Sequence, residues 1–391
     1  MRILIVSHEY PPIGGGGANA CRFLGDGFSK KSHEVCIVTA GWDIPASQRG
    51  VQVEVLRGNE ASSEGRLELH RLKCARKHKE HCSFFEMSDF VNKALGYCGR
   101  LCASRAFDVC LIFFGIPSGV VGRYLYSRFK LPYVIRFGGG DIPGFQERFK
   151  AVYSFLGPFV KDIWKHSSAL VANSSGLKSF AQRFCDKYPI SVVPNGVDVD
   201  FYGFADRTEA GPGEVRLLFV SRLIERKGLQ FLIPRLKDIK ASSGKEISLT
   251  VVGDGPYRQV LESLALEHGV GDMISFEGQK DKEEISPYFG RADIFVFPSK
   301  REGMPNAVLE AMAGGLAVVM TNCEGASELI DGNGIIAASQ EDFYKSVIDV
   351  IAGGKIKEMG AESKRRAREI FSWEETSRKY LEIFGSCIRK L

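Results

Sequence analysis

Short apolar runs of strand length alternate with helix-length amphipathic segments along the whole chain. That rhythm constrains the fold more than any other feature of the sequence. In the first half, residues 3–6, 34–39, 52–57, 109–113, 133–136, 169–172 and 191–193 read as strands; in the second half, 216–220, 248–252, 274–277, 294–297 and 317–320 do. Each run is followed by a glycine, a turn residue or a helix pattern. A strand that is apolar on both faces belongs inside a sheet covered by helices, so the alternation predicts βαβ units, parallel sheets and an α/β fold.

At 391 residues the chain is too long for one ordinary core and suits two. Asn195-Gly196-Val197-Asp198 reads as a turn, and Arg207-Thr208-Glu209-Ala210-Gly211-Pro212-Gly213 is polar and rich in breakers before a new strand. The expected organisation is two doubly wound, Rossmann-like domains, 1–203 and 204–370, facing across a cleft, with a C-terminal helix in 371–391. In that tail Trp373, Tyr380, Leu381, Ile383 and Phe384 fall at helical spacing, and by pattern alone either domain could receive them. Strand C-termini bordering the cleft are the expected ligand position.

Composition narrows the class. Hydrophobic content of 44% and charged content of 25% are those of a globular protein, and a net charge of +5 is too small to argue for nucleic acid. Cys21, Cys36, Cys74, Cys82, Cys98, Cys102, Cys110, Cys185, Cys323 and Cys387 are scattered, and no pair has C-x-x-C spacing. Reduced, mostly buried thiols follow, rather than a disulfide framework or a zinc knuckle. The apolar N-terminal run ends too soon for a signal peptide, and no uninterrupted apolar window is long enough to span a bilayer. A cytoplasmic protein is expected.

Several residues at strand ends could carry chemistry. Gly14-Gly15-Gly16-Gly17 follows the first strand and a Pro-Pro turn, with a helix from about Ala18. Glycines there let backbone approach a ligand, and helix N-terminal amides suit phosphate or hydroxyl groups. The run is not G-x-G-x-x-G in a tight turn, which disfavours a dinucleotide cofactor; alone, a flexible surface loop explains it as well. Arg222 and Lys227 follow the first strand of the second domain, a fork of donors and a point charge able to neutralise a diphosphate without a metal. Arg226 alternates with them and is expected to face solvent. Gly253, in Gly253-Asp254-Gly255-Pro256, ends another strand where a structural turn and a ligand loop are both reasonable, with Pro256 in the first turn of the next helix. Asp293 reads as a helix-to-strand junction residue.

Ser299-Lys300-Arg301-Glu302-Gly303-Met304-Pro305-Asn306-Ala307-Val308-Leu309-Glu310 places two glutamates eight positions apart. Glu302 follows a strand and should project toward the ligand. Met304, Pro305, Asn306 and Ala307 would open a helix whose first amides form an anion site. Glu310 then lies about a turn into that helix, where a carboxylate can accept both hydroxyls of a ribose. Either glutamate alone could be a capping or exposed helical residue; with the basic pair opposite, a ligand site is the better reading.

In this order along the chain, these motifs resemble the retaining GT-B glycosyltransferases of family 4, over nearly the whole sequence. The resemblance implies that Arg222 and Lys227 bind the diphosphate of a UDP- or GDP-sugar, with Gly15 and Gly16 approaching the same group. It assigns Glu302 to the donor sugar, Glu310 to the ribose, and the amides around Asn306 and Ala307 to the phosphates. It also returns the tail with Trp373 to the N-terminal domain. Many relatives carry a histidine in a His-Gly-x-Asp pattern after the strand at 133–136. Here the sequence is Arg136-Phe137-Gly138-Gly139-Gly140-Asp141, so the resemblance aligns that position with Gly138. Asp141 is kept as a group for orienting sugar or acceptor, or as a loop cap.

The implied reaction moves a hexose-type sugar to a hydroxyl of a glycan or lipid-linked acceptor with retention, as in bacterial surface polysaccharide synthesis. The leaving diphosphate can itself take the acceptor proton, and no metal or other cofactor is needed. Basic residues in 66–81 (Arg66, Arg71, Lys73, Arg76, Lys77, Lys79) would suit an anionic lipid surface. So would the mixed stretch 148–166, with Arg148, Phe149, Lys150, Tyr153, Phe155, Leu156, Phe159, Lys161, Trp164 and Lys165; a solvated basic face with ordinary core aromatics explains both equally well. Two other functions share the motifs, a sugar-nucleotide 2-epimerase of the same fold and a silent sugar-nucleotide-binding partner.

Overall fold

The computed structural model describes residues 1–42, 44, 50–58, 65–78, 82–144, 150–203 and 210–389. The chain forms two compact units, Met1–Asn195 with Trp373–Leu391, and Gly196–Ser372.

The first unit is built on eight strands: β1 Arg2–Ser7, β2 Glu34–Ala40, β3 Val51–Arg57, β4 Leu67–Leu72, β5 Val109–Phe113, β6 Tyr133–Arg136, β7 Ala169–Ala172 and β8 Ile190–Val192. Their spatial order is β3-β4-β2-β1-β5-β6-β7-β8, and every pair except β3–β4 is parallel. Both faces of the inner strands are buried, as their near-continuous apolar runs require, whereas the edge strand β3 is largely exposed. Leu4, Val6, Cys36, Ile112 and Ile135 meet Phe90, Ala94, Val121, Leu125 and Trp164 from the helices on one side. Ile3, Ile5, Ile37, Leu111 and Val134 meet Leu24, Phe28, Tyr380 and Phe384 on the other. Each such aliphatic side chain contributes roughly 1.5–3 kcal/mol on burial.

The C-terminal helix Trp373–Ile388 belongs to this unit. Trp373 stacks on Phe23 with ring centroids 5.0 Å apart, and Phe384 meets Phe28 at 5.4 Å. Its hydrophobic stripe thus completes the cover begun by the helix Gly16–Lys30.

The second unit holds β9 Glu214–Val220, β10 Glu246–Val252, β11 Ile274–Gly278, β12 Ile294–Phe297, β13 Ala317–Thr321 and β14 Gly334–Ala337. Their order is β11-β10-β9-β12-β13-β14, all parallel. Leu217, Phe219, Val251 and Val296 face one helical layer, while Leu218, Phe295, Phe297 and Met320 face the helix Asn306–Ala313 and its neighbours.

The structure departs from the expectations in a few places. β4 and β14 are strands that the apolar-run criterion passes over. β4 carries Glu68 and His70, both buried, because Arg105 and Tyr97 satisfy them within the fold. β14 is four residues long and opens on a glycine. β3 is antiparallel to β4, a pairing open to strands joined by a hairpin rather than a helical crossover. Pro256 lies in the turn before the helix Arg258–Glu267 rather than within it. Residues 196–203, read with the first domain, pack with the second unit: the Val197 amide bonds the Phe371 carbonyl at 2.7 Å, and Tyr202 meets Phe289 at 5.4 Å. Asp293 is more than a junction residue, because its carboxylate takes the Arg216 guanidinium at 3.1 Å through both oxygens and so ties β9 to β12. Among the described residues no helix is long and apolar enough to cross a membrane.

Candidate active site

In each sheet the chain reverses its direction of winding once. After β9 it runs outward through β10 and β11, then returns to β12 on the opposite side. Loops diverge from such a switch point and leave a crevice outside the strand C-termini. The loop after β9 carries Arg222 and Lys227, and the loop after β12 carries Glu302. The fold therefore brings these residues together although 75 positions separate Lys227 from Glu302.

Their geometry is tight. Lys227 ends the short 3-10 turn Glu225–Lys227, and its Nζ donates to Glu302 Oε1 at 2.6 Å. The two side chains are only 13% and 15% exposed, so the pair is largely desolvated. Lys227 Nζ also stands 5.0 Å from the centre of the Phe297 ring. Ser299 Oγ donates to the same glutamate oxygen at 2.9 Å, and the Glu302 amide donates to Glu324 Oε2 at 3.2 Å. Burial pushes the Lys227 ammonium below its ordinary pKa, the Glu302 carboxylate opposes that shift, and the nearby Arg226 and Arg222 charges add to it.

Arg222 is exposed, and its charge bears on Lys227. Arg226 is half exposed but is not merely solvated: it donates to the Arg301 carbonyl at 2.8 Å and to Glu302 at 3.4 Å. Arg222, Arg226 and Lys227 thus gather around the Glu302 carboxylate at the crevice, with Glu324 behind its amide.

The loops that hold these groups are locked by backbone. Gly228 has φ +78°, and a Cβ there would stand 2.0 Å from the Pro298 carbonyl oxygen. Only glycine lets the β9 and β12 loops approach so closely. Gly253, at φ +134°, lies against the Ser221 carbonyl, where a Cβ would sit at 1.9 Å. The Leu223 amide bonds the Asp254 carbonyl at 2.8 Å, so the Gly253–Pro256 loop buttresses the Arg222–Lys227 loop.

The helix Asn306–Ala313 begins behind Pro305, which supplies no side-chain cap. Asn306 and Ala307 are its first two residues, while the Met304 side chain is buried in the core and leaves only its backbone to the loop. Glu310 is partly buried on this helix and hydrogen-bonds the Tyr202 hydroxyl. Burial and that carboxylate both raise the Tyr202 phenol above its ordinary pKa, so it stays a donor that can orient Glu310.

On the first unit, Gly15 caps the helix Gly16–Lys30 without a side-chain bond; both glycines are exposed, and a Cβ on Gly15 would meet nothing within 4 Å. Their surroundings suit a ligand that approaches backbone. Of the two readings of Asp141, its hydrogen bonds match the loop cap. It is 3% exposed and works as a clamp, its carboxylate accepting the Gly115 amide at 2.6 Å and the Gly138 amide at 2.8 Å. Burial pushes its carboxyl pKa up and those amides limit the rise.

Trp164, read as part of a docking surface, is 1% exposed and packs on Phe137 and Phe184 in the core. Phe159 of the same helix is 44% exposed, and the side chains of 145–155 lie outside the described residues, as does Lys79.

All ten cysteines are free thiols. Cys36, Glu68 and His70 place ligand-type atoms within 4.8 Å of one another. Glu68 is already held by Arg105 at 2.7 Å and Arg66 at 2.8 Å, so the group is an ion-pair network rather than a cation cradle. Ser299, Glu324, Phe297 and Tyr202 escape sequence reasoning. Phe297 and Ser299 stand at the end of β12 just before Glu302 and could have been found from that place; Glu324 and Tyr202 are supplied by other elements.

Two Rossmann-like sheets, each with a switch point, are the architecture of the GT-B fold. The family model for glycosyl transferases group 1 matches residues 205–369, and that for glycosyltransferase family 4 matches 14–201. The chain belongs to this glycosyltransferase family. A glycosyltransferase of Methanocaldococcus jannaschii is 25% identical over 98% of both chains. The lipopolysaccharide core biosynthesis glycosyltransferase LpsE of Rhizobium meliloti is 28% identical, over 63% of this chain and 72% of its own. In fold the chain is similar to a sucrose-phosphate synthase from Thermosynechococcus elongatus, with TM-score 0.76 and 17% identity over the whole of both chains. It is also similar to Anabaena HepE in complex with UDP and glucose, with TM-score 0.68 and 16% identity over 99% of this chain and 100% of that one.

Proposed function

We propose that this glycosyltransferase moves a hexose-type sugar from a UDP- or GDP-sugar to a hydroxyl of a glycan or lipid-linked acceptor, with retention of anomeric configuration. The observation that carries this reading is the desolvated Lys227–Glu302 pair at the switch point of the second sheet, with Arg222 and Arg226 beside it. Lys227 and Arg222 neutralise the diphosphate and stabilise the charge that grows on it as the glycosidic bond breaks, the largest kind of catalytic contribution. Glu302 contacts the donor sugar, Glu310 takes the ribose hydroxyls, and the first turn of Asn306–Ala313 adds its dipole to the phosphates. On the first unit, the exposed Gly15 and Gly16 backbone suits a phosphate or hydroxyl group. The leaving diphosphate accepts the acceptor's proton, so neither a histidine at 138 nor a metal is required.

A polysaccharide or lipopolysaccharide pathway is the proposed setting, since the named relatives include enzymes of lipopolysaccharide core, amylovoran and colanic acid biosynthesis. Ten free thiols suit a cytoplasmic, reducing compartment. A panel of UDP- and GDP-hexoses tests the donor by thermal shift. The correct donor at a hundred times its dissociation constant stabilises by about 2.7 kcal/mol. Because HepE was solved with UDP-glucose, UDP-sugars are the first to test. No shift with any member would overturn the reading, and an inverted anomeric signal in the product's NMR spectrum would overturn retention.

The acceptor side is proposed to dock on anionic lipid. Phe84 and Phe85 are 46% and 74% exposed at the start of the helix Phe84–Ser104, and the exposed Lys77 and His78 precede them in the chain. Apolar anchors near basic residues suit the headgroup boundary. Phe85→Ser should lower sedimentation with phosphatidylserine vesicles at least threefold while leaving donor hydrolysis intact; equal binding to neutral and anionic vesicles would remove the proposal.

A further inference from the structure

The first sheet has its own switch point, between β1 and β5, and the residue at its lip has no role in the assignments above. The chain leaves β1 toward β2 and leaves β5 toward β6 on the opposite side, so the loops after β1 and β5 diverge. One loop carries Gly14–Gly17. The other opens with Phe114, whose φ is +70°. That region is sterically adverse for a bulky side chain. The conformation is imposed from both sides: the Phe114 amide bonds the Arg136 carbonyl at 3.0 Å, and the following Gly115 amide bonds Asp141 at 2.6 Å.

The strained backbone delivers the ring to one place. A Cβ on Gly17 would stand 2.5 Å from its Cζ, and one on Gly138 would stand 2.3 Å from its Cε1. His8, at the end of β1, meets the ring edge at 4.8 Å. The ring is thus wedged between the loops that follow β1 and β6, yet it is only half-buried, unlike the core phenylalanine next to it, Phe113. On the His8 side its surroundings are uncharged at neutral pH. Burial, with Arg76 adding to it, lowers the His8 pKa to about 3, and Asp141 is occupied by backbone amides.

We infer that Phe114 is a specificity-determining residue of the first unit, its ring an apolar wall on which the C–H face of a pyranose packs. The inference rests on the proposed sugar-transfer chemistry and names a group it does not use. A sugar ring presents apolar C–H faces and a hydroxyl rim, so an aromatic plane near the exposed amides of Gly15 and Gly16 matches both surfaces. The same wedge explains why position 138 is glycine here: any side chain would displace the ring.

The test uses the full chain with two variants, Phe114→Leu and Gly138→Ala. The first removes the aromatic plane, and the second pushes the ring aside without removing it. Donor KM is read from hydrolysis of the UDP- or GDP-hexose that the wild type uses, acceptor KM from transfer to a panel of octyl glycosides, and nucleotide affinity from UDP or GDP binding. Both variants are expected to raise one sugar-substrate KM about tenfold, change the ranking among sugars, and leave nucleotide affinity unchanged. A rise in donor KM assigns the wall to the transferred sugar, and a rise in acceptor KM assigns it to the acceptor. If both KM values and the ranking stay as in the wild type in either folded variant, Phe114 is only a packing wedge and the inference is overturned. Failure of the donor reading is distinguishable, because it would appear as absent nucleotide binding in the wild type.

Discussion

Lys227→Ala lowers kcat/KM for the nucleotide-sugar donor by about a hundredfold to a thousandfold, the loss seen when one preorganised group is removed from developing negative charge. Lys227 is suited to that task because it is already desolvated. Its ammonium is held by Glu302 at 2.6 Å and sits over Phe297, in surroundings where water screens little of its field. Most of the loss should fall on kcat, since charge on the leaving diphosphate is greatest in the transition state. Lys227→Arg should recover only a small part. The planar guanidinium cannot occupy the same point above Phe297 and beside Glu302 without displacing Arg226. Steady-state kinetics on the folded variant checks this, and near-normal turnover in Lys227→Ala would remove the residue from the leaving-group site.

The second expectation concerns stability as well as activity. Glu302→Ala leaves the Lys227 ammonium largely buried with Arg226 and Arg222 nearby and no carboxylate facing it. Removing one member of a buried pair costs about 3–5 kcal/mol. Lys227→Ala is milder, because Glu302 keeps Ser299 and Arg226 as partners. The double variant Lys227→Met/Glu302→Leu removes both charges at similar volume and should regain most of the stability lost in Glu302→Ala while remaining inactive. Urea unfolding of the wild type, Lys227→Ala, Glu302→Ala and Lys227→Ala/Glu302→Ala gives the coupling, and the Met/Leu variant is measured beside them. Simple additivity of the two single changes would show that the pair is not a unit. Recovered activity in the double variant would show that neither charge takes part in transfer.

The residues of that unit were legible to different degrees. Arg222, Lys227 and Glu302 stand just past strands, and strand ends are visible in an apolar run followed by polar residues. Glu324, which receives the Glu302 amide, and Tyr202, which orients Glu310, were not legible. They reach the site from other elements, and no local spacing marks them. The eight-residue interval between Glu302 and Glu310 suggested that both serve a ligand. The structure adds that each also has a protein partner, Lys227 for one and Tyr202 for the other. Asp141 read either as a ligand group or as a loop cap, because a polar residue in a glycine-rich loop looks the same whether it serves a ligand or the loop. Its burial and two amide bonds separate the cases.

Alternating apolar runs by themselves determined two parallel α/β sheets, because a chain of that pattern can bury its strands only beneath helices on both faces. The order of glycines, cations and glutamates along the chain determined the family. Only the tertiary structure decided which of those residues meet, since Lys227 and Glu302 become neighbours through β9 lying next to β12. It also decided that β4 could bury Glu68 and His70, and that the space beside Gly138 belongs to Phe114. Those outcomes depend on hydrogen-bond partners and close contacts contributed from distant parts of the chain, which periodicity does not encode.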